Sequence, residues 1–179
     1  MVLLRLRRPV TLGSACSGLA TETHAVKHIL KIPYVHKFMC DINPHVRRVL
    51  SNTFPECSLL HDACKDLPGA SSVDLFVAGP PCQPWSAEGK QRRGRDPRAA
   101  VFRAVLHYVK TKRPKVVVLE NVSRALCVAP KIQSYLDADY EVTFRVLNSI
   151  RFGVPQHRRR LYVVARAPLR VCVVRVLLS

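Results

Sequence analysis

The chain has 179 residues, enough for one domain of ordinary size. Apolar residues make up 48% and charged residues 23%, a globular composition that excludes intrinsic disorder. Its 29 Lys and Arg against 12 Asp and Glu give +17. That balance argues against an ordinary enzyme of small metabolites and implies a polyanionic partner, nucleic acid first and an anionic membrane second.

The excess charge sits in two windows. Residues 90–115 carry ten bases against Asp96 alone, and residues 142–179 carry eight Arg and no acid. Twenty of the 29 bases are Arg, which favours planar, bidentate contacts with phosphates or bases. No stretch reaches the roughly 20 apolar residues that span a bilayer, and the charged start up to Pro9 does not read as a signal peptide. The seven cysteines are odd in number and lack CxxC spacing. That counts against a disulfide framework and a structural zinc site, and predicts a reducing intracellular compartment and no metal.

Short β-rich runs alternate with helical ones. Residues 10–12 read as a strand, followed by a small-residue turn of Gly13, Ser14, Ala15, Cys16, Ser17 and Gly18 and a helix over 19–31. A second strand over 35–40 leads to Asn43 as helix cap, Pro44 in the first turn and a helix to about Thr53. Residues 58–61 and 73–78 are further strands. Asp96 and Pro97 open a helix with Val101, Val105 and Val109 as its apolar stripe. Residues 115–119 form a nearly all-Val strand of the kind buried on both faces of a parallel sheet. Strands over 140–147 and 161–165 complete the series. The alternation predicts an α/β, doubly wound, Rossmann-like sheet with helices on both faces.

In such sheets ligands bind beyond the carboxyl ends of the strands. The polar residues there are Gly13–Gly18, Asp41, Asp62, Gly79–Ser86, Glu120 with Asn121, and Gln156–Arg160. The last group precedes its strand, so that strand must run antiparallel to reach the same edge. Within the third loop, Cys82 sits between prolines directly after a buried strand, on a stiffened backbone suited to a nucleophile.

Three segments in order carry a resemblance: Gly79-Pro-Pro-Cys82-Gln-Pro-Trp-Ser86, then Glu120-Asn121-Val122, then Gly153-Val-Pro-Gln156-His-Arg158-Arg-Arg160. Together they resemble the DNA (cytosine-5) methyltransferases, over about residues 10–165. The resemblance implies an S-adenosylmethionine-dependent methyltransferase sheet. It implies that Cys82 adds as thiolate to carbon 6 of a cytosine flipped out of the duplex, activating carbon 5 for methylation. Glu120 is implied to hydrogen-bond the ring N3 and amino group, and Arg158 and Arg160 to contact the base carbonyl and hold the loop.

The same resemblance assigns S-adenosylmethionine to the Gly13–Gly18 turn, with Gly79 and Pro81 beside it. Asp41 would hold the ribose hydroxyls and Asp62 the adenine amino group. Ser86, Gln156 and the closing loop of Lys90, Arg92, Arg93 and Arg95 would contact DNA, with binding that weakens steeply as salt rises. The chain departs from the family's Phe-x-Gly-x-Gly-Gly: Gly13 falls at the aromatic position, and Ala15 and Ser17 replace two glycines. Membrane and metal drop out as partners, and the expected location becomes the nucleus in a eukaryote and otherwise the cytoplasm.

Residues 1–166 read as a catalytic core, its cofactor half about 10–90 and its base-pocket half about 90–166. Residues 167–179 form a divergent tail too short for the family's target-recognition region. Truncation is therefore expected, with a protein partner or a further C-terminal region supplying recognition. Two alternatives stand beside DNA methylation: the same chemistry on transfer RNA, against which Trp85-Ser86 leans, and an inactive nucleic-acid-binding relic.

Overall fold

The computed structural model describes residues 8–81 and 97–168. Cys82, Ser86, Lys90, Arg92, Arg93 and Arg95 lie outside the described residues, as does the tail from 169 onward. The strands are β1 (Val10–Ala15), β2 (Tyr34–Cys40), β3 (Ser58–Leu60), β4 (Leu75–Ala78), β5 (Val116–Val122), β6 (Glu141–Asn148) and β7 (Arg159–Arg166). They form one sheet in the order β3-β2-β1-β4-β5-β7-β6. The first five pair in parallel, and β7 runs antiparallel between β5 and β6. This is the expected doubly wound sheet, including the one reversed strand.

Helix α1 (Thr21–His24) continues as a π-helical stretch, Ala25–Leu30. Helix α2 (Pro44–Thr53) begins as expected, with the Asn43 side chain accepting from the His45 and Val46 N–H groups. The short α3 (Ala63–Asp66), α4 (Pro97–Lys112) and α5 (Ala129–Leu136) follow. Sequence reading gave no helix over 129–136, although Pro130 in its first turn and Ile132 with Leu136, buried at i and i+4, are its signal.

Two apolar cores flank the sheet. Strand β2 divides its side chains between them: Phe38 and Cys40 join the larger core with Phe76, Val105, Tyr108 and Leu136, while Met39 joins Ala20, Leu50 and Cys57. The Phe76 and Tyr108 rings lie 4.4 Å apart, and the Tyr108 hydroxyl donates to the Ser71 carbonyl at 2.6 Å. The Val101 and Val105 stripe of α4 also faces this core.

Two expectations change. Gly13, Ser14 and Ala15 belong to β1 and not to the turn. The Phe38 ring crosses β1 at Gly13, where a Cβ would stand 2.5 Å from Phe38 Cε1, so this glycine is required by packing inside the sheet. The turn proper starts at Cys16. The Val-rich β5 is also not sealed on both faces: Val117, Leu119 and Asn121 are buried, while Val116, Val118 and Glu120 are half-buried. Pairing with β7 lengthens this strand to Val122, so Glu120 and Asn121 lie within it.

At the edge opposite the loops just named, Asp74 ties three strands together. Its carboxylate accepts from the Thr11 N–H and hydroxyl at 3.0 and 2.8 Å, and pairs with Arg8 at 2.8 Å and Lys115 at 2.9 Å. Burial alone would raise this carboxyl, but hydrogen bonds from Lys115, Thr11 and Arg8 outweigh it and hold it far below the ordinary range. A depressed folded-state value contributes stability above the unfolded value and loses it as pH falls. Asp74→Asn is expected to cost about 2 kcal/mol at neutral pH. In urea titrations at stepped pH, its deficit should shrink below about pH 4, where the native carboxylate loses its advantage.

Candidate active site

The parallel strands and the reversed β7 deliver their polar residues to one edge of the sheet. Gly79 stands at the centre of it: its N–H donates to the Ala15 carbonyl at 3.2 Å, joining the ends of β4 and β1. A Cβ there would lie 3.6 Å from Glu120 Oε2 and 4.0 Å from the Cys16 carbonyl oxygen. The turn after β1, the loop after β4 and the end of β5 therefore meet around one small residue.

The turn Cys16–Ala20 has left-handed backbone at Cys16, Gly18 and Ala20, with φ of 54°, 52° and 55°. Only one of these is glycine, so the other two hold a conformation that ordinary side chains disfavour. Hydrogen bonds fix it. The Ser17 hydroxyl donates to the Cys40 carbonyl at 3.2 Å and accepts from the Cys40 N–H at 3.1 Å. Asp41, at the end of β2, accepts from the Gly18 N–H at 3.0 Å and the Asn43 N–H at 2.9 Å. A carboxylate has about four acceptor positions, so Asp41 retains capacity for a ligand's hydroxyls.

Leu19 follows Gly18 and Ile42 follows Asp41, the two residues joined by that bond, and they are 71% and 74% exposed. They leave apolar surface where the flat face of a ring could lie, a feature that sequence reading passed over. Asp62 is differently engaged. It caps α3, accepting from the Cys64 N–H at 2.9 Å, and its other oxygen lies 3.8 Å from Lys65 Nζ.

On the other side of Gly79, the register of β5 and β7 sets Val122 opposite Arg160 and Glu120 opposite Tyr162. Arg160 is thus the diagonal neighbour of Glu120 on the same face, and its Nε donates to Glu120 Oε1 at 2.9 Å. The side chains are 23% and 34% exposed, so the pair remains open to solvent. Such a pair adds about 1 kcal/mol or less to stability; its consequence is orientation. Arg158 and Arg160 also line an open cleft of about 190 Å³ with Leu147, Phe152, Val154 and Tyr162. Gln156 is exposed in the preceding loop, where its carbonyl accepts from the Ser149 hydroxyl and the Arg158 N–H.

Asn121 faces the opposite, buried side of β5. Its Nδ2 donates to the Pro80 carbonyl at 3.1 Å, and its Oδ1 accepts from the Val122 N–H at 2.9 Å. It anchors the backbone two residues before Cys82. The signal was an amide side chain at a buried position of an otherwise apolar strand, which periodicity registers only as an interruption.

Among the described residues, burial pushes the thiols of Cys16, Cys40 and Cys57 up to about 12, and raises that of Cys64. These thiols stay protonated and unreactive at neutral pH. No group of three or more His, Cys, Asp or Glu among the described residues is placed to hold a metal ion.

The model of the C-5 cytosine-specific DNA methylases matches residues 15–170. The chain belongs to this family. Type II methyltransferase M.HgiBI of Herpetosiphon aurantiacus is 38% identical over 97 residues, covering 51% of this chain and 22% of that protein. Type II methyltransferase M.NgoBV of Neisseria gonorrhoeae is 34% identical over 146 residues, 70% of this chain and 33% of that protein. The methylase fold recurs in S. pombe Dnmt2 methyltransferase, with TM-score 0.72, 20% identity and coverage of 93% of this chain and 52% of that one. Entamoeba histolytica methyltransferase EhMeth gives TM-score 0.74, 23% identity and coverage of 93% and 56%. The chain thus spans about half of these solved relatives and a third or less of those two curated ones.

Removing the anchor of the loop after β4 should be measurable. Asn121→Ala leaves the Pro80 carbonyl without its donor and is expected to cost about 1–3 kcal/mol in urea denaturation.

Proposed function

We propose that this chain carries the catalytic chemistry of a cytosine-5 DNA methyltransferase, with Cys82 as nucleophile. The observation that supports this best is the convergence at Gly79: the turn after β1, the Glu120–Arg160 pair and the Asn121-anchored start of the Cys82 loop meet there. Cysteine between prolines on a stiffened loop suits attack on one fixed atom.

In this reading the Cys82 thiolate forms a bond to carbon 6 of cytosine, and the electron pair moves towards N3 and carbon 5. Glu120, oriented by Arg160, accepts from the exocyclic amino group and, when it carries a proton, donates to the ring N3. Arg160 and Arg158 face the base carbonyl from the cleft, where their charge offsets the negative charge that develops on the ring. S-adenosylmethionine, when bound, supplies the electrophilic methyl group that carbon 5 takes up. Loss of the carbon-5 proton to solvent then expels Cys82 as thiolate and restores the aromatic ring, with S-adenosylhomocysteine as the other product.

The residues at the β1–β2 edge fit that cofactor. Asp41 keeps free acceptor capacity for ribose hydroxyls, Leu19 and Ile42 offer apolar faces, and the turn Cys16–Ala20 brings backbone close to a ligand. Asp62 remains a candidate for the adenine amino group. The polyanionic partner is DNA, gripped by Gln156 and the exposed Arg residues of the β6–β7 region, with Ser86, Lys90, Arg92, Arg93 and Arg95 contributing from the loop. A target-recognition region, in a partner or a longer chain, completes site selection.

DNA containing 5-fluorocytosine tests the assignment, because fluorine at carbon 5 blocks the elimination that frees the cysteine. With S-adenosylmethionine present, a heat-stable protein–DNA adduct is expected, and none with Cys82→Ser. An adduct that survives Cys82→Ser, or none with the unaltered chain, contradicts the nucleophile assignment. Adduct formation with RNA but not DNA would transfer the reaction to the other substrate.

A further inference from the structure

The glycine-poor turn Cys16–Ala20 is held by a chain of side-chain hydrogen bonds, and the bond from Ser17 to Cys40 sets a direction along it. It begins at Cys40. Its carbonyl accepts from the Ser17 N–H at 3.1 Å and from the Ser17 hydroxyl at 3.2 Å, the second bond taking up the hydroxyl proton. Ser17 Oγ then has lone pairs for the Cys40 N–H and for Ser14 Oγ at 2.7 Å, and Ser14 must be the donor. Ser14, its own proton committed, must accept from His36 Nε2 at 3.4 Å. Nδ1 of the neutral ring is therefore the acceptor of the Thr23 hydroxyl at 2.8 Å.

A backbone irregularity makes this possible. The β1–β2 register shifts between Leu12 and Gly13, pairing Leu12 with His36 and Gly13 with Phe38, so Lys37 is passed over. The bulge turns His36 onto the Ser14 and Met39 face, beneath α1, where it is 5% exposed. Burial lowers the imidazole to about 4, which keeps it neutral across the physiological range. Glu22 of α1 also hydrogen-bonds Ser14, and burial raises its carboxyl.

The geometry points to His36, in its Nε2–H tautomer, as a positioning residue for S-adenosylmethionine binding, acting through Ser14 and Ser17 on the turn Cys16–Ala20. Where glycines would let the turn form without strain, this chain uses hydroxyls and one imidazole to hold Cys16 and Ala20 left-handed. Gly18 is thereby presented to Asp41 and the ligand edge. The inference rests on the reading of that turn as the cofactor's seat.

Calorimetric titration of the full chain with S-adenosylhomocysteine tests it, with thermal melting in parallel and nitrogen-15 NMR of the histidine rings. His36→Leu removes the donor to Ser14 and should weaken binding roughly tenfold, the equivalent of one hydrogen bond. His36→Gln restores an N–H donor there and should bind within about threefold of the unaltered chain. The NMR signature should be that of a neutral ring protonated at Nε2.

Undiminished binding by His36→Leu, equal losses in both variants in step with melting temperature, or a ring protonated at Nδ1 would each overturn the positioning role. Should His36→Leu fail to fold, Ser17→Ala breaks the chain at its last link and is read the same way. Failure of the unaltered chain to bind S-adenosylhomocysteine overturns the cofactor reading, and the positioning role with it. Binding that ignores His36 overturns the positioning role alone.

Discussion

Everything at the candidate site depends on the reversal of one strand. Five parallel strands place their carboxyl ends at a common edge, but Arg158 lies just before β7 and Arg160 at its start, and both would reach the opposite edge if β7 were parallel. Running antiparallel between β5 and β6, β7 brings its first residues to the loop edge and sets Arg160 diagonally across from Glu120. The same pairing extends β5 by the two residues that matter, turning Glu120 and Asn121 from loop into strand. A strand is a stiffer support than a loop, so the acid and the anchor of Pro80 are held in fixed directions, one on each face.

The two halves of the edge achieve rigidity by different means. Around Glu120 it comes from the ladder between β5 and β7 and from one buried amide. Around Cys16–Ala20 it comes from a hydroxyl and imidazole network beneath a turn with two left-handed residues that are not glycine. Gly79 lies between the halves: its N–H bonds the Ala15 carbonyl, and a Cβ there would stand 3.6 Å from Glu120 and 4.0 Å from the Cys16 carbonyl oxygen. At the far edge, Asp74 fixes the starts of β1, β4 and β5 and so their register at the site.

Much of this was legible in the residues. Alternating strand and helix patterns gave the doubly wound sheet, and the position of Gln156–Arg160 ahead of its strand required the reversal. The turn was displaced because small residues were read as turn formers. Gly13 is small for another reason, the Phe38 ring lying on it, and that contact joins strands whose register no local pattern specifies. His36 escaped the sequence reading, and Asn121 was named only for its place at the end of a strand, not for its partner. Each is a polar residue whose value lies in a partner distant in sequence, Pro80 in one case and Ser14 in the other. Asp41 was read from its place after a strand, yet its bond to Gly18 emerged only with the fold.

The central claim is that the reversed strand makes Glu120 and Arg160 a single unit acting on the base. A double-mutant cycle on the rate of methyl transfer to cytosine-containing DNA, with Glu120→Gln, Arg160→Gln and both together, tests this most directly. The account predicts strong non-additivity, the double variant being about as slow as the slower single one. Rate losses that multiply would show that the two residues act independently, and would contradict it.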